Sequence, residues 1–177
     1  MTPGVRKLAL TAHVTCSVGW LGAVAGFLAL AIAGLTTHDV QASSGSYVAM
    51  NLTGWYVIVP LCFASLLTGL IQALGTSWGL FRHYWVVAKL LIAILATLVL
   101  MVHMQSISYL GRAAADLTLG PTDYRDVRVQ LVADAGAALL VLVVATALSV
   151  YKPRGLTRYG WRKQRGETGE GVSLPSR

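Results

Sequence analysis

The sequence predicts an all-α integral membrane protein: a four-helix bundle with both termini in the cytoplasm. Of its 177 residues, 55% are hydrophobic and only 12% are charged, whereas a soluble domain usually carries about 25% charged residues. The apolar residues form four long runs, and a helix of about 20 apolar residues is enough to cross a bilayer. Lys and Arg occur next to some ends of these runs and are absent from others, which predicts the orientation of the bundle in the membrane.

One transmembrane domain, residues 1–151, is predicted to contain all four spans. We place them at about 8–34, 54–74, 84–104 and 129–151. The first run has no Asp, Glu, Lys or Arg from Leu8 to Thr37. It is roughly twice as long as the apolar part of a secretion signal, which favours a retained helix.

The second span is predicted to begin after residues 51–53, Asn-Leu-Thr, because Asn and Thr favour helix N-caps. Pro60 should kink this span, since proline leaves the carbonyl one turn earlier, near Tyr56, without its helical partner. Gly34 and Gly45 are interpreted as isolated loop glycines.

Small residues in span 1 predict close packing against another helix. Gly22 and Gly26 have the GxxxG spacing that lets spanning helices approach each other. This motif fits either the interior of the bundle or a homodimer. Cys16 and Cys62 lie inside apolar runs and are interpreted as small buried residues.

The orientation follows from the positions of Lys and Arg. Arg6 and Lys7 precede span 1 and Arg82 lies between spans 2 and 3, whereas the connection between spans 1 and 2 contains neither residue type. Because cytoplasmic loops carry the excess of Lys and Arg, both termini and the 2–3 turn are predicted to lie inside.

Residues 152–177 are predicted to form a basic, partly mobile cytoplasmic tail. The tail holds much of the net charge of +7, and its Gly and Pro residues cannot build a core. Positive charge beside the last span indicates binding to anionic lipid headgroups. This distribution argues against a nucleic-acid partner.

Ionisable residues inside spans are costly and mark functional positions. His13 and Lys89 each lie about six residues into a span, so both are predicted about 9 Å below the cytoplasmic surface. A neutral imidazole can ligate haem iron or a metal, with Trp20 on the same helix face. Lys89 or His83 would be the second ligand. Alternatively, Lys89 extends to the headgroups and His13 hydrogen-bonds a neighbouring helix.

His103 and Asp134 are predicted to form a second polar layer near the outer surface. They can form a carboxylate–imidazole pair suited to proton transfer. Met101, His103 and Met104 can also offer soft ligands to Cu(I). Alternatively, Met101 and Met104 are packing residues, and His103 is a histidine at the membrane interface.

Two segments resemble known bacterial membrane proteins. Residues 12–22, from Ala12-His13-Val14 to Trp20-Leu21-Gly22, are similar to the first helix of HemJ-type protoporphyrinogen IX oxidases and CopD-type copper-resistance domains. Residues 85–91, Trp-Val-Val-Ala-Lys-Leu-Leu, resemble their third helix, with His103 as its later histidine. Pro60 and Gly69 fit the same template. The whole chain most resembles a related bacterial family of integral membrane proteins of unknown function.

The HemJ resemblance implies a haem b near His13, a role for Lys89 in activity and a bacterial plasma membrane. The sequence departs from that template in two places. Val87 stands where the template often has His, and the basic tail replaces an acidic C-terminal motif.

Three functions therefore stay open. The first is a haem-binding redox or electron-transfer protein. The second is a non-enzymatic accessory subunit or small transporter, with a membrane-protein partner or as a homo-oligomer. The third is copper handling. The sequence contains no nucleotide fingerprint, phosphate loop or paired carboxylates, so a hydrolase or kinase is not expected.

Overall fold

The computed structural model describes residues 2–75, 84–116 and 124–151, and the elements in these ranges are helices. They are α1 (Pro3–Thr36), α2 (Val40–Thr53), a π-helical turn (Gly54–Ile58), α3 (Val59–Gly75), α4 (Tyr84–Ala115) and α5 (Arg125–Tyr151). Because α2, the π turn and α3 are continuous, the described residues contain four helices long and apolar enough to cross a membrane. The coarse fold prediction is confirmed.

The second spanning helix begins earlier than predicted. Asp39 is its N-cap, because its carboxylate accepts the backbone N–H groups of Gln41 at 3.1 Å and Ala42 at 3.3 Å. Asn51 lies inside α2 and Thr53 ends it, so the predicted N-cap was wrong. Gly34 in α1 and Gly45 in α2 are also helical rather than loop residues.

The π turn ends two residues before Pro60. The backbone N–H of Val59 donates to the carbonyl of Gly54, five residues earlier, which adds one residue to the turn. The predicted distortion near Tyr56 therefore takes the form of a π turn.

A continuous apolar core joins the helices. α1 packs against α2, α3 and α5, and α4 packs against α2, α3 and α5. The core residues of α1 recur every three or four positions, as one buried helix face requires; the buried apolar residues are Trp20, Val24, Phe27, Ala31, Tyr47, Met50, Ile58, Cys62, Met104, Ile107, Leu110, Ala114, Leu131, Ala135 and Leu142.

The GxxxG motif of α1 makes no close helix contact among the described residues. No atom of another helix there lies within 4 Å of a Cβ added at Gly22 or Gly26, so the structure does not favour the interior alternative. Its role in a homodimer stays a prediction.

We call the half of the bundle that contains the start of α1 the proximal half, and the half that contains the end of α1 the distal half.

Candidate functional site

The proximal half brings His13 of α1 and Lys89 of α4 into direct contact. Lys89 Nζ lies 3.4 Å from His13 Nε2, and both side chains are partly buried. The sequence placed these residues at one depth, and the structure adds that they face each other.

Helix α3 fixes the orientation of the His13 ring. His13 Nδ1 lies 3.1 Å from the Ser65 carbonyl oxygen and 3.1 Å from Thr68 Oγ1. A carbonyl oxygen can only accept, so Nδ1 carries the proton of this hydrogen bond. The Thr68 hydroxyl donates to the Ala64 carbonyl at 2.6 Å, which leaves its oxygen free to accept from His13. Nε2 therefore keeps its lone pair and faces Lys89, whose ammonium can donate to it.

Gly69 allows α3 to approach this close. A Cβ added at Gly69 would lie 3.0 Å from His13 Cε1. This distance is so short that the imidazole would have to move. The Gly69 backbone is thus one wall of the His13 site.

Neutral polar groups complete the proximal layer. Ser17 Oγ lies 2.8 Å from Ser65 Oγ, and Gln72 Nε2 donates to the Ala9 carbonyl at 2.8 Å. No Asp or Glu occurs from residue 40 to residue 115, and the carboxylates of the described ranges, residues 39, 116, 126 and 134, sit at or toward the distal end. The layer is therefore positive when Lys89 is charged.

The other proposed haem residues are not gathered at His13. Trp20 is 6% exposed and belongs to the core, about 10 Å along α1 from His13. His83 lies outside the described residues. His103 follows Lys89 by fourteen residues on α4, about 21 Å away.

The donor chemistry of His13 would suit one ligand to haem iron. His13 offers an oriented lone pair in an apolar bundle, as haem iron requires. Lys89 Nζ already occupies the hydrogen-bonding position of Nε2, so ligation there requires Lys89 to turn aside or to become a ligand. The described residues contain no group of three or more His, Cys, Asp or Glu side chains able to hold a metal ion.

The distal half contains the second predicted pair. His103 Nε2 lies 2.8 Å from Asp134 Oδ2, and the two side chains are 26% and 35% exposed. His103 Nδ1 also lies 2.8 Å from the Val99 carbonyl oxygen. The structure therefore joins α4 to α5 through this pair.

The predicted copper ligands do not converge. Met104 is 1% exposed, and its Sδ would lie 3.2 Å from a Cβ added at Gly54 on the π turn. His103 faces Asp134 on α5 instead. Met101 packs against the core.

Sequence reasoning missed several polar residues that the structure buries fully or in part. Ser65, Thr68 and Gln72 recur at spacings of three and four in an otherwise apolar span, and this polar stripe was a usable signal. Arg128 and Tyr47 were missed as well. Arg128 is 4% exposed, and its Cζ lies 5.2 Å from the centroid of the Tyr47 ring, a cation–π contact.

Comparison of the chain with protein-family models, curated proteins and solved structures found no match. The resemblance to HemJ-type and CopD-type proteins therefore stays a prediction from short motifs.

Proposed function

We propose that this chain is a multi-pass plasma-membrane protein that binds haem b at His13 and acts in electron transfer. The observation that carries the proposal is the His13–Ser65 hydrogen bond, at 3.1 Å. Metal-ligating histidines commonly donate their second ring N–H to a carbonyl, which fixes the tautomer and the ring orientation. The motifs at residues 12–22 and 85–91 support the same cofactor.

Each residue of the site has a role in this proposal. Ser65 and Thr68 orient the imidazole, and Gly69 lets α3 pack against it. Lys89 supplies a neighbouring amine, or as an ammonium favours a bound group with negative charge. Haem, when bound, supplies a one-electron couple.

The orientation belongs to the same proposal. The proximal half faces the cytoplasm, because Arg6 and Lys7 precede α1. The tail from residue 152 onward lies outside the described residues, and we propose that it rests on anionic headgroups.

An absorption spectrum tests the proposal. Protein expressed with haem supplementation should show a Soret band that shifts on reduction. His13→Ala should lose most of this absorbance, because the ligand nitrogen is removed. Thr68→Val should weaken haem retention by roughly 10-fold, as is typical for the loss of a supporting hydrogen bond.

His103→Ala is the matched control, because it removes a histidine from the distal half and should keep the Soret band. Wild-type protein that is folded and helical but colourless would contradict haem binding.

A small proton or solute transporter is the second candidate. It is favoured by polar contacts at three levels of the bundle: His13–Lys89 in the proximal half, the Cys62–Thr97 contact at 3.1 Å, and His103–Asp134 in the distal half. Polar residues within spans often mark such pathways. A folded, colourless protein would favour this candidate.

A further inference from the structure

The two ring nitrogens of His103 each face an oxygen. Nδ1 lies 2.8 Å from the carbonyl oxygen of Val99, one turn earlier on α4. Nε2 lies 2.8 Å from Asp134 Oδ2 on α5. These distances decide where protons can sit.

The hydrogen-bond partners require two protons at this pair. The Val99 carbonyl can only accept, so Nδ1 carries one proton. Between Nε2 and Oδ2 there must be a second proton, because two lone pairs at 2.8 Å would repel each other. This proton lies either on Nε2, giving imidazolium and carboxylate, or on Oδ2, giving neutral imidazole and carboxylic acid. In both forms the pair has no net charge.

The surroundings of Asp134 fit a site that holds a proton rather than a metal. Asp134 Oδ2 is buried and, apart from its ion-pair contact with His103, has no hydrogen-bond partner among the described residues. Both His103 nitrogens are engaged, so neither offers a lone pair to Cu(I) in this arrangement. Other ionisable side chains buried in the described distal half are Arg128 of α5 and Tyr47 of α2.

The depth of the pair is the same on both helices. His103 precedes Arg112 by nine residues, and Asp134 follows Asp126 by eight. Both positions therefore lie about 12–14 Å from a charged helix end. Lys89 is predicted about 9 Å below the cytoplasmic surface and His103 lies about 21 Å farther along α4, so the pair is expected near the distal edge of a core about 30 Å thick.

We propose that His103 and Asp134 form a proton-binding site that exchanges protons with water on the distal side. Loading places a proton between Nε2 and Oδ2 and cancels the negative charge of the pair. Unloading breaks the N–H or O–H bond, returns the proton to water and leaves neutral imidazole beside a carboxylate. The proposal does not depend on haem at His13.

Two spectroscopic measurements on the full chain in lipid nanodiscs test the site. Nitrogen NMR of ¹⁵N-histidine protein reports whether His103 Nε2 is protonated, and infrared spectroscopy reports a protonated carboxyl group. At neutral pH one of the two signals should be present. Exposed His38 is the internal reference for an unpaired histidine.

Variants assign and control these signals. Asp134→Asn should abolish whichever of the two signals the wild-type protein shows, and Asp134→Glu should restore one of the two signals if it folds. His13→Ala should leave the wild-type signal unchanged, which separates this site from the haem proposal. Exchange of the signal within minutes in D₂O would show access to water.

Three outcomes would overturn the proposal. The first is wild-type protein with neither a protonated Nε2 nor a protonated carboxyl group. The second is a signal that persists in folded Asp134→Asn. The third is stoichiometric Cu(I) bound at His103, because a metal ligand cannot carry that proton.

Discussion

At the scale of single residues, the helical glycines form two groups, which differ in whether an added Cβ would contact another helix. A Cβ added at Gly111 would lie 2.7 Å from Asn51 Cβ, and one added at Gly34 would lie 2.9 Å from Tyr47 Cζ. Gly22, Gly26 and Gly136 have open space at the same position. The first group lets α2 pack closely against α1 and α4, whereas the second group makes no close contact with another helix among the described residues.

Gly111→Ala should destabilise the bundle by about 1–3 kcal/mol, the usual cost of overpacking a core. The contact is with the Cβ of Asn51, which cannot turn away without moving α2. Thermal unfolding in detergent measures the effect. Gly136→Ala is the matched control and should be neutral or slightly stabilising, because alanine is the better helix former. Equal melting temperatures for the two variants would contradict this packing.

The sequence predicts the depth of His13 and Lys89 in the membrane, but it does not predict how their helices are rotated about their axes. Counting residues from the span ends places His13 and Lys89 in one layer, because the rise per residue is constant. The polar stripe of Ser65, Thr68 and Gln72 indicates how α3 is turned, but the apolar surroundings of His13 and Lys89 do not indicate how α1 and α4 are turned. The contacts of His13 with Ser65 and Thr68 therefore became visible only in the structure.

At the scale of secondary-structure elements, the π turn divides the second spanning helix into two parts. It separates α2, which buries Tyr47 and Met50, from α3, which buries Cys62 and Ser65. One extra residue rotates the following helix by about 100° relative to a continuous α-helix. The turn thus sets which face of α3 meets His13.

Deleting Val57, an exposed residue of the π turn, should convert the turn to α geometry and rotate α3 against α2 by about 100°. We expect loss of the folded species in size-exclusion chromatography and loss of the cooperative thermal transition.

Pro60→Ala is the control for this deletion, since it keeps the residue count. In this variant, the packing of α2 and α3 on either side of the π turn should keep the turn in place. A deletion variant as stable as Pro60→Ala would show that the register across the turn is not fixed.

The start of α2 shows why sequence reasoning placed the second span too late. Residues 41–46, Gln-Ala-Ser-Ser-Gly-Ser, have the composition of a loop. In the helix, however, Ser43 Oγ donates to the Gly34 carbonyl at 3.0 Å and Ser46 Oγ to the Ala42 carbonyl at 2.8 Å. These bonds satisfy two of the three hydroxyls, whereas Ser44 Oγ is buried without a hydrogen-bond partner among the described residues. Packing of Tyr47 stabilises this segment despite its weak intrinsic preference for a helix.

The four spanning-length helices place the start of α1 and the end of α5 at the same end of the whole molecule. The helix count and approximate span positions followed from the apolar runs, because length and hydropathy are local properties. The predicted third span ended near residue 104, whereas α4 continues to Ala115. The additional turns are more polar and include Arg112, so the hydropathy pattern gave no reason to extend the helix.

Reporter fusions test the orientation of the whole molecule. A fluorescent protein that matures in the cytoplasm should be bright when fused after residue 177, and alkaline phosphatase should be inactive there. The reverse result should hold for fusions truncated within residues 117–123. Active phosphatase at the C-terminus would contradict the proposed topology.

The proposed position of the His103–Asp134 pair near the distal edge of the membrane makes its response to voltage depend on the side from which protons arrive. A proton from the distal surface would cross little of a 30 Å core, whereas a proton from the proximal surface would cross nearly all of it. The full potential contributes about 2.3 kcal/mol per charge for each 100 mV, so proton occupancy would change roughly 50-fold per 100 mV in the second case and little in the first. The voltage dependence of protonation would therefore report which side of the membrane the site opens to.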